Sequence, residues 1–363
     1  MIIFIFERRL FVVNLFSVKF YLIILGVSFA SLHLAASVPS EAELDAKKAA
    51  LLKYIRDVSA SDRYILGESY NEKDWDLMKT RFGRIPALMC VEYLYKEGMR
   101  KLKDAEKPVV WESVNSVAER HYKGGGLVRI VCHFPNPYFP NYGGLRVKLE
   151  DKSAKLVASA DSPEKSRWLA MLEEVAAGIR DLNDRGVIPI FGPMHEMNGE
   201  WFWWGAKIPV DTQRKLWNQI KAALDAKGCR VVWLNALAAG RSLEPYKLSD
   251  GSYDFFNADI VGLDVYKYKR AKNLGCIKDK YDTVVESGKI FAVAEFGVKF
   301  GLDDKNGAYD VSTLTEQLDA HCPRAFCVLF WHGPWAIPIY KNAGKLMNDR
   351  KFIKFPEAVF DGK

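Results

Sequence analysis

The chain has 363 residues, 49% of them hydrophobic and 27% charged, which fits one large globular domain or two small ones and excludes a disordered or fibrous class. Its formal net charge of +7 is not gathered into a dense basic run with interleaved aromatics, so nucleic acid is not an expected partner. Aromatic residues reach 13%, with 10 Trp and 16 Tyr, a content that carbohydrate clefts and large cores both use.

At the N-terminus, Arg8, Arg9 and Lys19 precede an uncharged apolar run, residues 20–36. Small residues follow (Ala35-Ala36-Ser37), then polar Pro39-Ser40-Glu41. This order reads as a secretory signal over residues 1–37, leaving 38–363 as the mature chain. A secreted, periplasmic or cell-surface location is therefore expected. The run is shorter than the ~20 residues a membrane span needs. The stretch before Lys19 is long and apolar for the first part of a signal, so an uncleaved anchor is the second reading. Six cysteines in an exported chain could form disulfides. Cys90, Cys132 and Cys327 lie in apolar strand-like runs, where cysteine packs as a small hydrophobe. Cys229, Cys276 and Cys322 are nearer element ends, and no pairing is assigned. Asn-X-Ser/Thr is absent, so no N-glycan is expected.

Residues 41–57 read as a helix, with Leu44, Leu51 and Ile55 on one face. Short apolar runs then alternate with longer amphipathic segments. The strand candidates are residues 64–67, 86–91, 127–133, 187–195, 230–235, 259–266, 290–296 and 325–331. The clearest helical patterns between them are residues 165–185 and 211–226. Arg185-Gly186 and Lys227-Gly228 stop those helices just before the next strand. Eight apolar strands alternating with helices fit a closed α/β architecture, the (β/α)8 TIM barrel, as a single catalytic domain over 38–363. The phosphate-loop and dinucleotide fingerprints of open sheets are missing. No internal repeat or low-complexity linker occurs. The longest irregular stretch, residues 134–163, follows the third strand and falls on the face where barrel active sites form. It reads equally as a surface loop or a substrate-binding loop.

The fourth strand runs into PIFGPMHEMNGEWFWWG, residues 189–205. His195-Glu196 sits where strand gives way to loop, beside the aromatic run from Trp201 to Trp204. Burial disfavours the charged form of a carboxyl, so the pKa of Glu196 is expected to rise. A raised carboxyl beside aromatic rings fits a general acid in a sugar cleft; the bland alternative is a core strand entering an aromatic loop. A helical zinc-protease motif is excluded, because Gly199 stands where the second histidine would be. No cluster has metal-ligand spacing, so neither metal nor cofactor is expected.

In a barrel the strand ends converge. His133 ends the third strand, Asp264 and Tyr266 the sixth, Glu295 the seventh and Trp331 the eighth. Glu295 lies in an otherwise apolar strand, VAEFG, where a buried acid is costly unless paired. A structural ion pair is the alternative, but no basic residue lies within four positions before it. Two carboxyls facing one cleft are the equipment for glycoside hydrolysis, with retention at ~5 Å separation and inversion at ~6.5–9.5 Å.

His195-Glu196-Met197-Asn198-Gly199-Glu200-Trp201-Phe202-Trp203-Trp204-Gly205 resembles the acid/base signature of glycoside hydrolase family 26. That family is mainly endo-β-1,4-mannanases and belongs to the clan of retaining barrel glycosidases. The resemblance covers residues 64–335 and implies Glu196 as acid/base and Glu295 as nucleophile, the ends of strands four and seven. It further implies that His195 holds the nucleophile or contacts sugar, and that Tyr266 donates to Glu295. His133 would contact the −1 sugar, Trp201 would line the leaving-group side, and Trp331 would lie under the −1 sugar. Asp264 would bind sugar or orient its neighbours. The chain departs from the pattern at Gly192, where family members usually carry an arginine. The loop after His133 lacks an expected Trp, for which Tyr138, Phe139 or Tyr142 are the candidates.

The expected activity is thus retaining endo-hydrolysis of β-1,4-mannosidic bonds in a mannan-type polysaccharide, by a monomer with no stable protein partner. The rivals are a hydrolase of β-1,3-xylan or mixed-linkage β-glucan, and a barrel that binds polysaccharide without cleaving it. Trp203, Trp204 and Trp335 fit cleft or core equally. Trp75, Trp111, Trp168, Trp217 and Trp233 read as core, Met194 and Met197 as packing, and His121 and His321 as residues without a special role.

Overall fold

The computed structural model describes residues 5–6, 9–10, 38–93, 111–139, 144–299, 301–304 and 307–357. The chain divides into two units, Met1–Ser37 and Val38–Lys363. In the first, Ile5–Phe6 pairs antiparallel with Arg9–Leu10. The apolar run expected to serve export, residues 20–36, lies outside the described residues, as does Tyr142. Among the described residues no helix is long and apolar enough to cross a membrane.

The second unit is built on eight parallel strands: β1 (Tyr64–Ser69), β2 (Leu88–Tyr93), β3 (Leu127–Cys132), β4 (Ile190–Gly192), β5 (Val232–Ala238), β6 (Ile260–Tyr266), β7 (Ile290–Gly297) and β8 (Ala325–Phe330). Each pairs with the next, and β8 returns to β1 from Cys327↔Ile65 to Phe330↔Glu68, closing the barrel. The strands are buried along nearly their whole length, which is why they read as apolar runs rather than as alternating ones.

Inner residues such as Ile65, Leu88, Cys90, Leu127, Ile190 and Leu234 form one cluster. Helix α1 (Glu41–Ser59) contributes Leu44, Leu51, Ile55 and Val58 to the same cluster. Its start is fixed by a capping box: Glu43 N–H donates to the Ser40 hydroxyl, and the Ser40 N–H donates to the Glu43 carboxylate. The second cluster lies between the strands and the outer helices and holds Trp75, Trp168, Trp217 and Trp233, with Trp111 half-buried against it.

Three expectations need correction. The fourth strand is not residues 187–195 but Ile190–Gly192 alone. Pro189 and Pro193 bracket it, and proline has no N–H to give a ladder. The fifth strand runs on to Ala238 because Ala236 to Ala238 pair with Gly262 to Asp264 of β6. Residues 134–163 are not wholly irregular: Asp151–Ser159 form a helix that buries Ala154, Val157 and Ala158. Its first residue is preceded by Glu150, which makes no side-chain cap, so the usual start signal was missing. His121 also has a structural task, its Nε2 lying 2.8 Å from the Ala87 carbonyl. All six cysteines are free, and only Cys276 is exposed.

Candidate active site

β4 ends in a sharp turn. Met194 (φ 48°) and Glu196 (φ 55°) both take left-handed backbone. Such positions cost on the order of 1–3 kcal/mol each for non-glycine residues and persist only where neighbours over-determine them. Here the backbone N–H of Glu196 donates to the Ala236 carbonyl of β5 at 2.7 Å. Asn198 exchanges two hydrogen bonds with the Ala238 backbone, and Gln213 donates to the carbonyls of Met197 and Trp204. The indoles of Trp203 and Trp204 are fully buried and donate to the carbonyls of Phe134 and His195. These two tryptophans are therefore core that braces the turn. Trp201 does something different: its Nε1–H donates to Glu196 Oε2. Gly199 permits this, because a Cβ there would come within 2.4 Å of the Trp201 ring.

Glu295 reaches the same space by another route. The register between β6 and β7 slips between Val293 and Glu295, leaving Ala294 as an extra residue. Strict alternation from Phe291 and Val293, which face the outer cluster, would send Glu295 outward too. The bulge turns it inward, as bulges commonly re-aim a functional side chain. Tyr266 O–H donates to Glu295 Oε2 at 2.7 Å. Arg129, fully buried on β3, places Nη2 3.5 Å from Glu295 Oε1 and donates from Nη1 to the Ala294 carbonyl.

Arg129 resolves the departure at Gly192. The strands are neighbours, with Arg129 opposite Ile190 and Val131 opposite Gly192. A cation thus reaches the nucleophile candidate from β3 rather than from the fourth strand. Glu92, on β2, was also not singled out in the sequence; its Oε1 lies 2.7 Å from His133 Nδ1. Both had the signal that picked out Glu295, a charged residue inside an apolar strand, here LVRIVC and LMCVEY.

The electrostatics separate the groups. Burial and then the charge of Glu295 push the Glu196 carboxyl up to about 8, against the Trp201 hydrogen bond, His133 and Arg146. Burial also lifts Glu295, but Arg129, the Tyr266 hydrogen bond and His133 oppose it. The shared negative charge is therefore favoured on Glu295, where the hydroxyl and guanidinium point. Asp264, buried with no hydrogen-bond partner for its oxygens, is held far above the carboxylate range by burial, Glu295 and Glu196. Burial pulls His133 down, but Glu92, Glu295 and Glu196 outweigh it and hold the ring above its ordinary value. His195, 4.6 Å from His133 ring to ring, is held well below its ordinary value by burial and the positive groups around it.

One cavity of about 570 Å³ joins all of this. His133, His195, Glu196, Trp201, Asp264, Tyr266, Glu295 and Trp331, the eight residues assigned roles from the sequence, line it. Trp335 lines it too, which places that residue in the cleft. Tyr138 and Phe139 do not: the Tyr138 hydroxyl donates to the Ser153 carbonyl, and Phe139 packs against Gly144. Phe202, Ala238 and Gly240 also line it, with Arg146, Arg241, Lys267 and Arg270, four cations that were not foreseen. Among the described residues no group of three His, Cys, Asp or Glu side chains could hold a metal ion. A proton-bearing carboxyl and an ionised one on one cavity can protonate a leaving group while attacking or activating from the other side.

Comparison with known proteins gives a consistent picture. The sequence matches the profile described as glycosyl hydrolase family 26 over residues 43–354. A mannan endo-1,4-beta-mannosidase of Bacillus subtilis (strain 168) is 28% identical over 291 residues, 78% of this chain and 76% of that protein. Mannan endo-1,4-beta-mannosidase A and B of Caldalkalibacillus mannanilyticus is 26% identical over 276 residues, 74% of this chain and 51% of that protein. The crystal structure of the YdhT protein from Bacillus subtilis superposes with a TM-score of 0.74 at 24% identity, covering 85% of this chain and 92% of that one.

Proposed function

The chain belongs to glycosyl hydrolase family 26 and is a glycoside hydrolase; we propose that it cleaves β-1,4-mannosidic bonds within mannan-type polysaccharides by double displacement with retention. The substrate rests on the two mannan endo-mannosidases to which the chain is similar. The observation that carries the mechanism is the unequal treatment of two carboxyls on one cavity. Glu196 is lifted to about 8 beside an indole donor, while Glu295 receives a guanidinium and a phenol.

At neutral pH Glu196 keeps its proton and delivers it to the departing oxygen. Glu295 attacks the anomeric carbon as that bond breaks. Ester formation removes the charge of Glu295, the second cause holding Glu196 up. Arg129 remains as a cation, and Glu92 still favours the charged form of His133. The pKa of Glu196 then falls, and the same carboxylate takes a proton from the water that releases the sugar. Arg129 is a positioning residue in this scheme, holding the charge of Glu295 in the place of the cation missing at position 192. Trp331 and Trp335 offer aromatic faces to the sugar rings.

The test is hydrolysis of β-mannan, β-1,3-xylan and mixed-linkage β-glucan by the purified chain, with the anomer of the first product read by NMR. Mannan is expected to be cleaved internally with the β-anomer released first. An α-anomer would overturn retention, preference for another glycan would overturn the substrate, and binding without cleavage of any would favour the non-catalytic rival. We also propose export through residues 1–37, for which sequencing the N-terminus of secreted protein is the test. A start near residues 37–39 is expected, and an intact N-terminus in the membrane fraction would favour an anchor.

A further inference from the structure

The cavity wall carries more positive charge than cleavage of a neutral sugar chain requires. Arg146, Arg241, Lys267 and Arg270 line it, and Lys299 lies 5.2 Å over the ring of the lining residue Trp335. The ion pairs inside the site join Arg129 to Glu295 and His133 to Glu92. Among the described residues no carboxylate lies within ion-pair distance of those five cations. The acidic residues of the lining are Glu196, Asp264 and Glu295 alone. Like charges gathered around one cavity repel one another, and the arrangement is relieved when an anion enters.

All three guanidinium groups of the lining contact neighbouring groups. Arg241 lies 5.5 Å over the ring of Trp201, the residue that donates to Glu196. Arg270 donates from Nη1 to the Tyr266 carbonyl at 3.2 Å, and its Nη2 fills the space where residue 240 has no side chain. A Cβ at Gly240 would come within 2.2 Å of that nitrogen. Arg146 sits 5.9 Å over the ring of Phe202. A guanidinium stacked on a ring keeps its N–H edge free, and that fork matches the two oxygens of a carboxylate or sulfate. Sugar hydroxyls need no such charge.

We propose that the substrate of this cavity is a β-linked glycan bearing anionic groups, carboxylates or sulfate esters, on the sugars flanking the scissile bond, recognised by Arg146, Arg241, Lys267 and Arg270. The proposal rests on the cavity being a glycosidase cleft and adds the charge of its occupant.

The test compares three mannans of matched length: neutral, partly oxidised to carboxylate at C6, and partly sulfated. The full chain should show kcat/KM about tenfold or more higher on at least one charged mannan than on the neutral one at low salt. The advantage should shrink severalfold in about 0.5 M NaCl, where the Debye length falls to about 4 Å. Arg146→Gln, Arg241→Gln, Lys267→Gln and Arg270→Gln should each lower the charged-to-neutral ratio about three- to tenfold. Arg270→Lys, which keeps the charge, should retain most of it. The better of the two charged arms identifies the anion. Equal or faster cleavage of neutral mannan, or a ratio indifferent to salt and to all four substitutions, would overturn the proposal. If another β-glycan is cleaved and mannan is not, the mannan reading falls. The same comparison on that glycan's carboxylated form then decides the charge. Failure to bind or cleave any of them would overturn both.

Discussion

Glu196 and its donor set the pH behaviour at the scale of single residues. The proposed reaction needs Glu196 protonated, so kcat/KM on mannan should fall as pH rises through about 8. The Trp201 hydrogen bond stabilises the ionised form, so Trp201→Phe should move that basic limb upward. A limb that stays or moves down would mean another donor governs Glu196. Arg129 acts on the opposite limb. It lowers the pKa of Glu295, so Arg129→Met should raise the acid limb and cut kcat by about 10²–10³. Arg129→Lys should keep the limb nearer its native place. A large loss of kcat with an unmoved pH profile would reduce Arg129 to a structural part. Arg129 shows where reading the sequence stopped short. The missing cation at Gly192 was visible, but its replacement comes from 63 positions earlier in the chain. Only the pairing of β3 with β4 brings the two strands side by side, with Arg129 opposite Ile190.

Among the elements, the eight strands were legible because parallel strands buried on both faces are continuous apolar runs. The ends of β3, β6, β7 and β8 were legible to within one residue, while β4 and β5 ended elsewhere than expected; all eight residues selected for the site still line the cavity. The bulge at Ala294 was not, since a single extra residue leaves no mark in an apolar strand. Nor was the helix Asp151–Ser159, which lacks a capping side chain and lies among turn-forming residues. Helix α1 was legible from its periodicity and binds to the barrel through a thin set of side chains. Leu51→Ala, at 1% exposure, should lower the unfolding free energy by about 2–5 kcal/mol in denaturant titration. A loss below about 0.5 kcal/mol would mean that α1 is not part of the cooperative core.

The whole molecule is an arrangement in which closure does the chemical work. β3, β4, β6, β7 and β8 supply the eight selected residues, and pairing of β8 with β1 is what brings their ends around one cavity. Low-dielectric walls then let Glu196 feel the charge of Glu295, on which the proposed two-step exchange of roles depends. The excess of cations in that wall arose from separate segments after β3, β5 and β6. No local motif announced it.

The assignment of the two carboxyls can be settled by azide rescue with an activated aryl β-mannoside. Glu196→Ala should still form the glycosyl-enzyme, because the leaving group needs no proton, and azide should release it as the β-glycosyl azide. Glu295→Ala should form no covalent intermediate, and azide attacking directly should give the α-glycosyl azide. Opposite anomers in that order are the predicted result. The reverse anomers, or loss of the first step in Glu196→Ala as complete as in Glu295→Ala, would contradict the account.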